Sequence, residues 1–318
     1  MTGTGQQPSL VVIGNFDGVH RGHQAVLEAV SRLSKQRGLL PRMLTFRPHP
    51  GVTLGRQAPA LLTTMERKLE LIERACPGID VVVRKFTSDF ASQTPEAFVE
   101  RVLVGELYAT VVMVGLNFRF GRGRAGAFGD LEQLGECHGF EAIAEPLVSD
   151  SQGTWSSSRV RELIKTGDLD GATEMLGRPH TLSGTVGRGA QRGRTIGYPT
   201  CNLADVPEAL PPFGVYAVLV DRVTDDGAQA LAKGVMSFGV RPTLPDADPL
   251  PLVEAHLFDL DEDLYGQRLR VHLMARQRDE LRFDGLAALR TQIDADAAEA
   301  RALLASWEPD PIFGGAWA

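Results

Sequence analysis

The order of strand-like and helix-like segments is the feature that most constrains how this chain can fold. Up to about residue 178, short apolar runs such as "SLVVIG" and "TVVMVG" alternate with amphipathic runs such as "GHQAVLEAVSRLSKQRG". Strands that alternate with helices form parallel βαβ units, so this half predicts an α/β domain with a doubly wound parallel sheet. Gly38 marks one helix end, and Thr94 followed by Pro95 marks a helix start.

The pattern changes near residue 179. Six short β-like runs follow, broken by glycine and proline, and one helical run over 286–306 closes the chain. Such a series predicts a small antiparallel β-barrel with a terminal helix. The predicted domains are therefore residues 1–178 and residues 179–318.

Charge and composition exclude several function classes. The net charge is −7, and residues 1–178 carry 20 basic and 20 acidic side chains, against 13 and 20 in the remainder. A protein that binds the phosphate backbone of a nucleic acid needs an excess of basic residues, which neither half has. We therefore expect no nucleic-acid partner. Small anionic ligands remain open, because they require only local positive charge.

The cellular location is predicted from what the sequence lacks. The apolar runs are far shorter than the roughly 20 residues of a membrane span, and "MTGTGQQPSL" does not resemble a signal peptide. The three cysteines show no CxxC spacing, which is typical of a protein from a reducing compartment. We expect a cytoplasmic protein with no membrane partner.

The stretch "GNFDGVHRGHQ" (14–24) places two histidines, His20 and His23, between a strand and a helix. A strand, a glycine-rich turn and a helix direct backbone N–H groups towards an anion. A helix N-terminus also disfavours imidazolium, so both rings are predicted to be neutral without a ligand. No third ligand lies nearby at zinc spacing. The alternative is that His23 merely caps the helix.

Two further motifs are ambiguous when each is taken alone, and one common kinase motif is missing. "SSSRVR" (156–161) suits either a helix cap or a phosphate clamp. "GRGRAG" (121–126) fits a dinucleotide-binding pattern, but "LNFRF" separates it from the preceding strand, which disfavours that interpretation. No GxxxxGK[ST] motif is present, so the chain is not a Walker-type kinase.

Together these stretches carry a family resemblance. "HRGH" matches the HxGH signature of nucleotidyltransferases, and "GNFDGVHRGHQ" resembles the adenylyltransferase module of the bifunctional riboflavin kinase/FAD synthetase family. "FRPHP", "VGLNFRFGRGRAG" and "SSSRVR" resemble later blocks of that module. "GYPTCNL", "GVRPT", "VEAHLFDLDEDLYG" and "RDELRFD" resemble the family's kinase module. The likeness runs in order along nearly the whole chain.

The resemblance implies two activities. The C-terminal domain would phosphorylate riboflavin with ATP and Mg²⁺ to give FMN, and the N-terminal domain would join FMN to ATP, giving FAD and pyrophosphate. Riboflavin, FMN and ATP would be the partners, with the flavins as substrates and products. Oligomerisation is left open. The alternatives are a single-activity adenylyltransferase for another phosphorylated acceptor and a flavin-binding regulator with idle sites.

For the N-terminal domain, the resemblance implies that His20 and His23 contact the ATP phosphates, with Asn117 and Arg161 as further catalytic residues. The other implied ATP-binding residues are Gly14, Phe16, Asp17, Gly18, Gly22, Ser157 and Ser158. Ser158 stands where the family usually has threonine. The implied flavin neighbours are Pro48, His49, Pro50, Phe98 and Phe120.

For the C-terminal domain, the resemblance implies that Glu254 is the general base that takes the proton from the riboflavin 5′-hydroxyl. Thr200 and Asn202 would ligate the nucleotide-bound Mg²⁺, since their oxygens lie on alternate residues of an extended segment. The remaining implied residues are Gly187, Gly193, Arg194 and Gly197 for ATP, and Arg278 and Phe283 for the flavin. Ser237 stands where the family usually has asparagine.

Overall fold

A computed structural model describes residues 7–55, 57–145, 149–150, 153–187, 197–240 and 251–308. The chain forms two compact units. One comprises Met1–Pro59 and Met65–Ser157, and the other comprises Ala60–Thr64 and Ser158–Ala318. This division falls at a different place from residue 178, and the boundary between functional domains remains a prediction.

The first unit contains a five-stranded, fully parallel sheet with strand order β3-β2-β1-β4-β5. Its strands are β1 (Ser9–Ile13), β2 (Leu40–Arg47), β3 (Asp80–Lys85), β4 (Ala109–Gly115) and β5 (Glu141–Glu145). Its helices are α1 (Arg21–Arg37), α2 (Pro50–Thr53), α3 (Met65–Ala75), α4 (Ser88–Ala91), α5 (Pro95–Phe98) and α6 (Phe128–His138). A π-helix (Val99–Glu106), a 3₁₀ turn (Arg122–Arg124) and a hairpin of β6 (Ser149–Asp150) and β7 (Gly153–Thr154) complete it. The predicted α/β architecture is confirmed.

The order of the strands reverses between β1 and β4, which are neighbours in the sheet. All five residues of β1 are buried, as expected for a central strand covered on both faces. In such sheets, ligands bind at the carboxyl ends of the strands on either side of the reversal. The residues that follow Ile13 and Gly115 are therefore placed where a ligand would bind.

Most helix boundaries follow the sequence signals, with one difference. Gly38 ends α1 in a left-handed conformation (φ 65°), and the Thr94 hydroxyl accepts a hydrogen bond from the amide of Ala97 at the start of α5. The helix predicted from Thr94 onwards is α-helical only as far as Phe98 and continues as the π-helix from Val99. The wider turn buries Val99, Val102 and Leu103 together.

The second unit contains a closed six-stranded barrel of order β10-β11-β12-β9-β8-β13, with antiparallel pairing. Its strands are β8 (Thr181–Gly187), β9 (Cys201–Ala204), β10 (Gly214–Thr224), β11 (Gly227–Val240), β12 (Pro251–Leu257) and β13 (Arg268–Arg278). Its helices are α7 (Ser157–Thr166), α8 (Leu169–Leu176) and α9 (Leu286–Leu303), and α7 begins at the last residue of the first unit. The predicted barrel and terminal helix are confirmed.

Alternation along β12 decides which side chains reach the outside of the barrel. Val253, Ala255 and Leu257 are buried in the barrel core, whereas Glu254 and His256 are half-buried on the opposite face. This period of two places Glu254 on the outer wall. Separately, no helix within the described ranges is long and apolar enough to cross a membrane.

Candidate active sites

The turn between β1 and α1 (residues 14–20, here the β1–α1 turn) is tightly shaped. A Cβ atom at Gly14 would lie 2.6 Å from the Phe16 ring, so only glycine fits there. Phe16 and Val19 both have positive φ, at 49° and 39°, which is unfavourable for their side chains. Gln24 Nε2 donates to the carbonyl of Val19 at 2.8 Å and helps to hold the turn.

His20 is the residue that caps α1, and His23 stacks on it. His20 Nδ1 accepts a long hydrogen bond of 3.4 Å from the amide of His23, so Nδ1 is unprotonated and Nε2 carries the proton. The two imidazole centroids are 3.7 Å apart, and the Phe16 ring lies 4.6 Å from that of His23. The alternative that His23 itself is the cap is wrong.

The electrostatics of this turn favour an anion. Burial lowers the pKa of His23 well below its usual value, and His20 and Lys68 lower it further by charge repulsion. The ring is therefore neutral at pH 7, as predicted, and burial is the largest cause. The first turn of α1 contains no acidic residue of its own, and its positive dipole end favours an anion.

Lys68 contacts this turn from α3 and was not identified from the sequence. Its ammonium donates to the carbonyl of Asn15 at 2.9 Å, from the buried face of α3. A signal was present, because Lys68 falls three and four residues before the apolar Leu71 and Ile72, on the same helix face. A lysine at a core position is unusual enough to mark a functional candidate.

Two other predicted residues have known surroundings in the first unit. Ser157 Oγ donates to the carbonyl of Asp17 at 2.8 Å, which brings the start of "SSSRVR" to the β1–α1 turn. Asn117 is exposed just after β4, at the carboxyl edge next to β1. Ser158 and Arg161 fall in the second unit, where Arg161 Nε donates to the carbonyl of Ala60 at 2.7 Å. Their contact with ATP remains a prediction.

The predicted flavin neighbours of the first unit divide into two groups. Pro48, His49 and Pro50 follow β2, and His49 Nδ1 accepts from the amide of Gly51 at 3.1 Å to start α2. Phe98 and Phe120 are only 5% and 6% exposed, with ring centroids 5.7 Å apart. These two rings pack in the core, so their contact with a flavin remains a prediction.

In the barrel, four residues form a row across adjacent strands. Gly187 pairs with Asn202, Asn202 pairs with Glu254, and Glu254 pairs with Ser237. Directly opposed residues point to the same face of a sheet, so the Asn202 amide and the Glu254 carboxylate are neighbours on the outer wall. Ser237, noted only as a departure from the family pattern, is the third side chain of this row.

A pocket opens beside Thr200. Cys201, at its wall, is buried, and loss of hydration raises the pKa of its thiol to about 11. The loop after β12 contributes residues that the sequence did not indicate, including Leu264 and Tyr265. The lining residues are Val186, Pro199, Thr200, Cys201, Ala255, Leu257, Leu260, Glu262, Asp263, Leu264 and Tyr265.

The two predicted flavin residues of the barrel, Arg278 and Phe283, lie near each other, and Arg278 also forms an ion pair with a carboxylate. Arg278 Nε and Nη2 donate to the two carboxylate oxygens of Asp296 on α9, at 2.9 and 2.6 Å, and Nη1 donates to the carbonyl of Asp279. Its guanidinium carbon lies 5.9 Å from the centre of the Phe283 ring. Gly197 has φ 89° and needs to be glycine, whereas Gly193 and Arg194 lie outside the described residues.

Comparison with known families matches both units. The family described as FAD synthetase matches residues 3–159, and the family described as riboflavin kinase matches residues 176–304. The chain belongs to the bifunctional riboflavin kinase/FMN adenylyltransferase family. The resemblance inferred from the motifs, and the two activities expected from it, are thereby confirmed.

Similar proteins agree along almost the full length. The bifunctional riboflavin kinase/FMN adenylyltransferase of Escherichia coli K12 is 36% identical over 306 residues, covering 96% of this chain and 95% of that protein. The protein of the same name from Bacillus subtilis is 34% identical over 303 residues, covering 93% and 92%. A crystal structure titled macrolide-efflux protein from Streptococcus pneumoniae has a TM-score of 0.80 at 28% identity, covering 95% of each chain.

The family assignment maps onto the geometry. The FAD synthetase region contains the β1–α1 turn, Asn117, Ser157 and Lys68, while Arg161 falls two residues beyond it. The riboflavin kinase region contains the row of Asn202 and Glu254, the pocket beside Thr200, and all of α9. Apart from Arg161, the described candidate residues for each activity of this bifunctional family thus lie within one matched region.

Proposed function

We propose that the barrel phosphorylates riboflavin to FMN and that the parallel-sheet unit adenylylates FMN to FAD, both with ATP. One observation carries the proposal for each unit. In the first, the stacked rings of His20 and His23 lie at the N-terminus of α1, at the strand reversal of the sheet. In the second, the carboxylate of Glu254 stands beside the amide of Asn202 on the barrel wall.

In adenylyl transfer, a phosphate oxygen of FMN attacks the α-phosphorus of ATP and pyrophosphate leaves. The reaction needs charge stabilisation and alignment rather than a protein nucleophile. His20 offers Nε2–H, since its Nδ1 accepts from the amide of His23. The backbone N–H groups of the first turn of α1 add further donors. We assign the ATP phosphates to this set of groups.

In the kinase reaction, the riboflavin 5′-hydroxyl attacks the γ-phosphorus of ATP and must lose its proton. Glu254 is the proposed proton acceptor, because its outward carboxylate is half-buried next to a polar row rather than in the core. Thr200 and Asn202 are proposed to orient the nucleotide from β9 and the residue before it. The pocket beside Thr200 is proposed to receive part of that nucleotide.

Magnesium is proposed as the cofactor of the kinase site. The hydroxyl of Thr200 is exposed and the amide of Asn202 is half-buried, and both offer hard oxygen donors. Mg²⁺ commonly binds through one or two protein oxygens, its own waters and substrate phosphates, so this donor set fits it. When bound, the ion neutralises phosphate charge. A cytoplasmic location and the absence of a nucleic-acid partner remain predictions.

The deciding experiment follows the flavins by chromatography. Incubation of the protein with riboflavin, ATP and Mg²⁺ should give FMN first and FAD second. Formation of no FMN would contradict the kinase assignment, while FAD formed only from added FMN would leave an adenylyltransferase alone. Flavin binding without either product would instead support a regulator with idle sites.

A further inference from the structure

Lys68 is a buried cation whose place in the first unit calls for an explanation. Only 5% of the residue is exposed. Burial of an ammonium group is costly because it loses its hydration, and this loss lowers the pKa of Lys68 from its usual value. The Asp17 carboxylate acts in the opposite direction. The ammonium is retained in the fold by a negative neighbour and by a hydrogen bond.

That hydrogen bond reaches the second residue of the β1–α1 turn. The carbonyl of Asn15 accepts from Lys68 Nζ at 2.9 Å and from Thr45 Oγ1 at 3.4 Å. One carbonyl thus connects the turn to α3 and to β2. Positive φ angles at Phe16 and Val19 are unfavourable for their side chains, and such strain persists only where neighbouring groups fix the backbone.

The charge of Lys68 acts on the same turn. It is one of the groups that lower the pKa of His23, together with burial and with His20. The Lys68 ammonium therefore lies against a turn that contains the Asp17 carboxylate and the neutral ring of His23. Its charge can attract a polyphosphate without a protonated histidine.

We propose that Lys68 is a positioning residue for adenylyl transfer, holding the Asn15 carbonyl and supplying the positive charge that steadies the nucleotide phosphates over the β1–α1 turn. This role rests on the proposed function, since it requires ATP phosphates at that turn. Lys68 acts through the turn backbone and through the field at His23. It is not assigned a direct contact with the reacting atoms.

The first test compares Lys68→Met with Lys35→Met, which removes the same charge from an exposed position near the end of α1. Lys68→Met should lower kcat/KM for FAD formation at least tenfold, mainly through KM for ATP. Riboflavin phosphorylation by the same protein should change less than twofold, because that site lies in the barrel unit. Equal FAD synthesis by the two variants would overturn the proposal. A wild-type protein that makes no FAD would instead count against the proposed function.

The second test separates charge from packing. The pKa of the His23 imidazole is measured by NMR titration, with its signal assigned by its absence in His23→Gln. It should rise in Lys68→Met and stay close to its wild-type value in Lys68→Arg, because arginine keeps the charge. Lys68→Arg should also make FAD faster than Lys68→Met. An unchanged His23 pKa in Lys68→Met, or equal inactivity of the Met and Arg variants, would overturn the proposal.

Discussion

The ion pair between Arg278 and Asp296 should control the stability of the barrel unit and its hold on riboflavin. Replacing Asp296 with asparagine removes the charge and one of the two oxygens that receive Arg278. It also disturbs the bond of 2.8 Å that Gln292 donates to Asp296 Oδ1. The side chain of Asp296 is 5% exposed and that of Arg278 is 19% exposed, so water replaces little of what is lost.

The burial of the two side chains sets the expected loss in the free energy of unfolding. Breaking a buried ion pair costs about 3–5 kcal/mol, and the partial exposure of Arg278 reduces this to about 2–3 kcal/mol. For a unit of this size each kcal/mol shifts the unfolding midpoint by about 2–4 °C, so the expected decrease in Tm is about 4–12 °C. The segment that begins at Arg278 contains the predicted flavin residues. If about 1.4 kcal/mol of the lost free energy comes from riboflavin binding to this segment, KM for riboflavin rises about tenfold.

Calorimetry measures the change in Tm, and riboflavin titrations of the kinase activity measure the change in KM. The control is Asp259→Asn, since Asp259 also pairs with an arginine of α9, Arg301, but both side chains are at least half exposed. An exposed pair is worth only about 0–1 kcal/mol, so the control should hardly move Tm or KM. An Asp296→Asn protein that melts with the control and binds riboflavin equally well would refute the reasoning.

Three further outcomes are expected. Glu254→Gln should reduce FMN formation from riboflavin by about 10²–10⁴-fold and leave FAD synthesis from added FMN intact. His23→Ala should instead reduce FAD synthesis and leave FMN formation intact. Flavin chromatography measures both products. A thiol reagent at pH 8 should react quickly with exposed Cys137 and slowly with Cys201, whose pKa of about 11 keeps it protonated; a rapid phase that survives Cys137→Ser would contradict this. The thiol of Cys201 ionises near 9 when unfolded and near 11 when folded, so chemical denaturation should show the barrel losing stability as pH rises above 9.

The sequence by itself determined the architecture and the chemistry of the motifs. Alternating strands and helices, followed by short β-runs, were enough for the parallel sheet and the barrel, because both patterns arise locally from the period of side-chain burial. The motif around His20 and His23 indicated phosphate binding because its strand, turn and helix start are contiguous in the chain. The outward face of Glu254 followed from simple alternation along β12.

Only the tertiary structure decided how distant residues meet. Lys68 approaches Asn15, Asp296 holds Arg278, and Ser157 reaches Asp17 across 53, 18 and 140 residues of chain. The π-helix at Val99 also depends on core packing rather than on propensity. Local periodicity gives no information about such contacts, because the free energy that fixes them comes from packing and from burial of charge between separate elements.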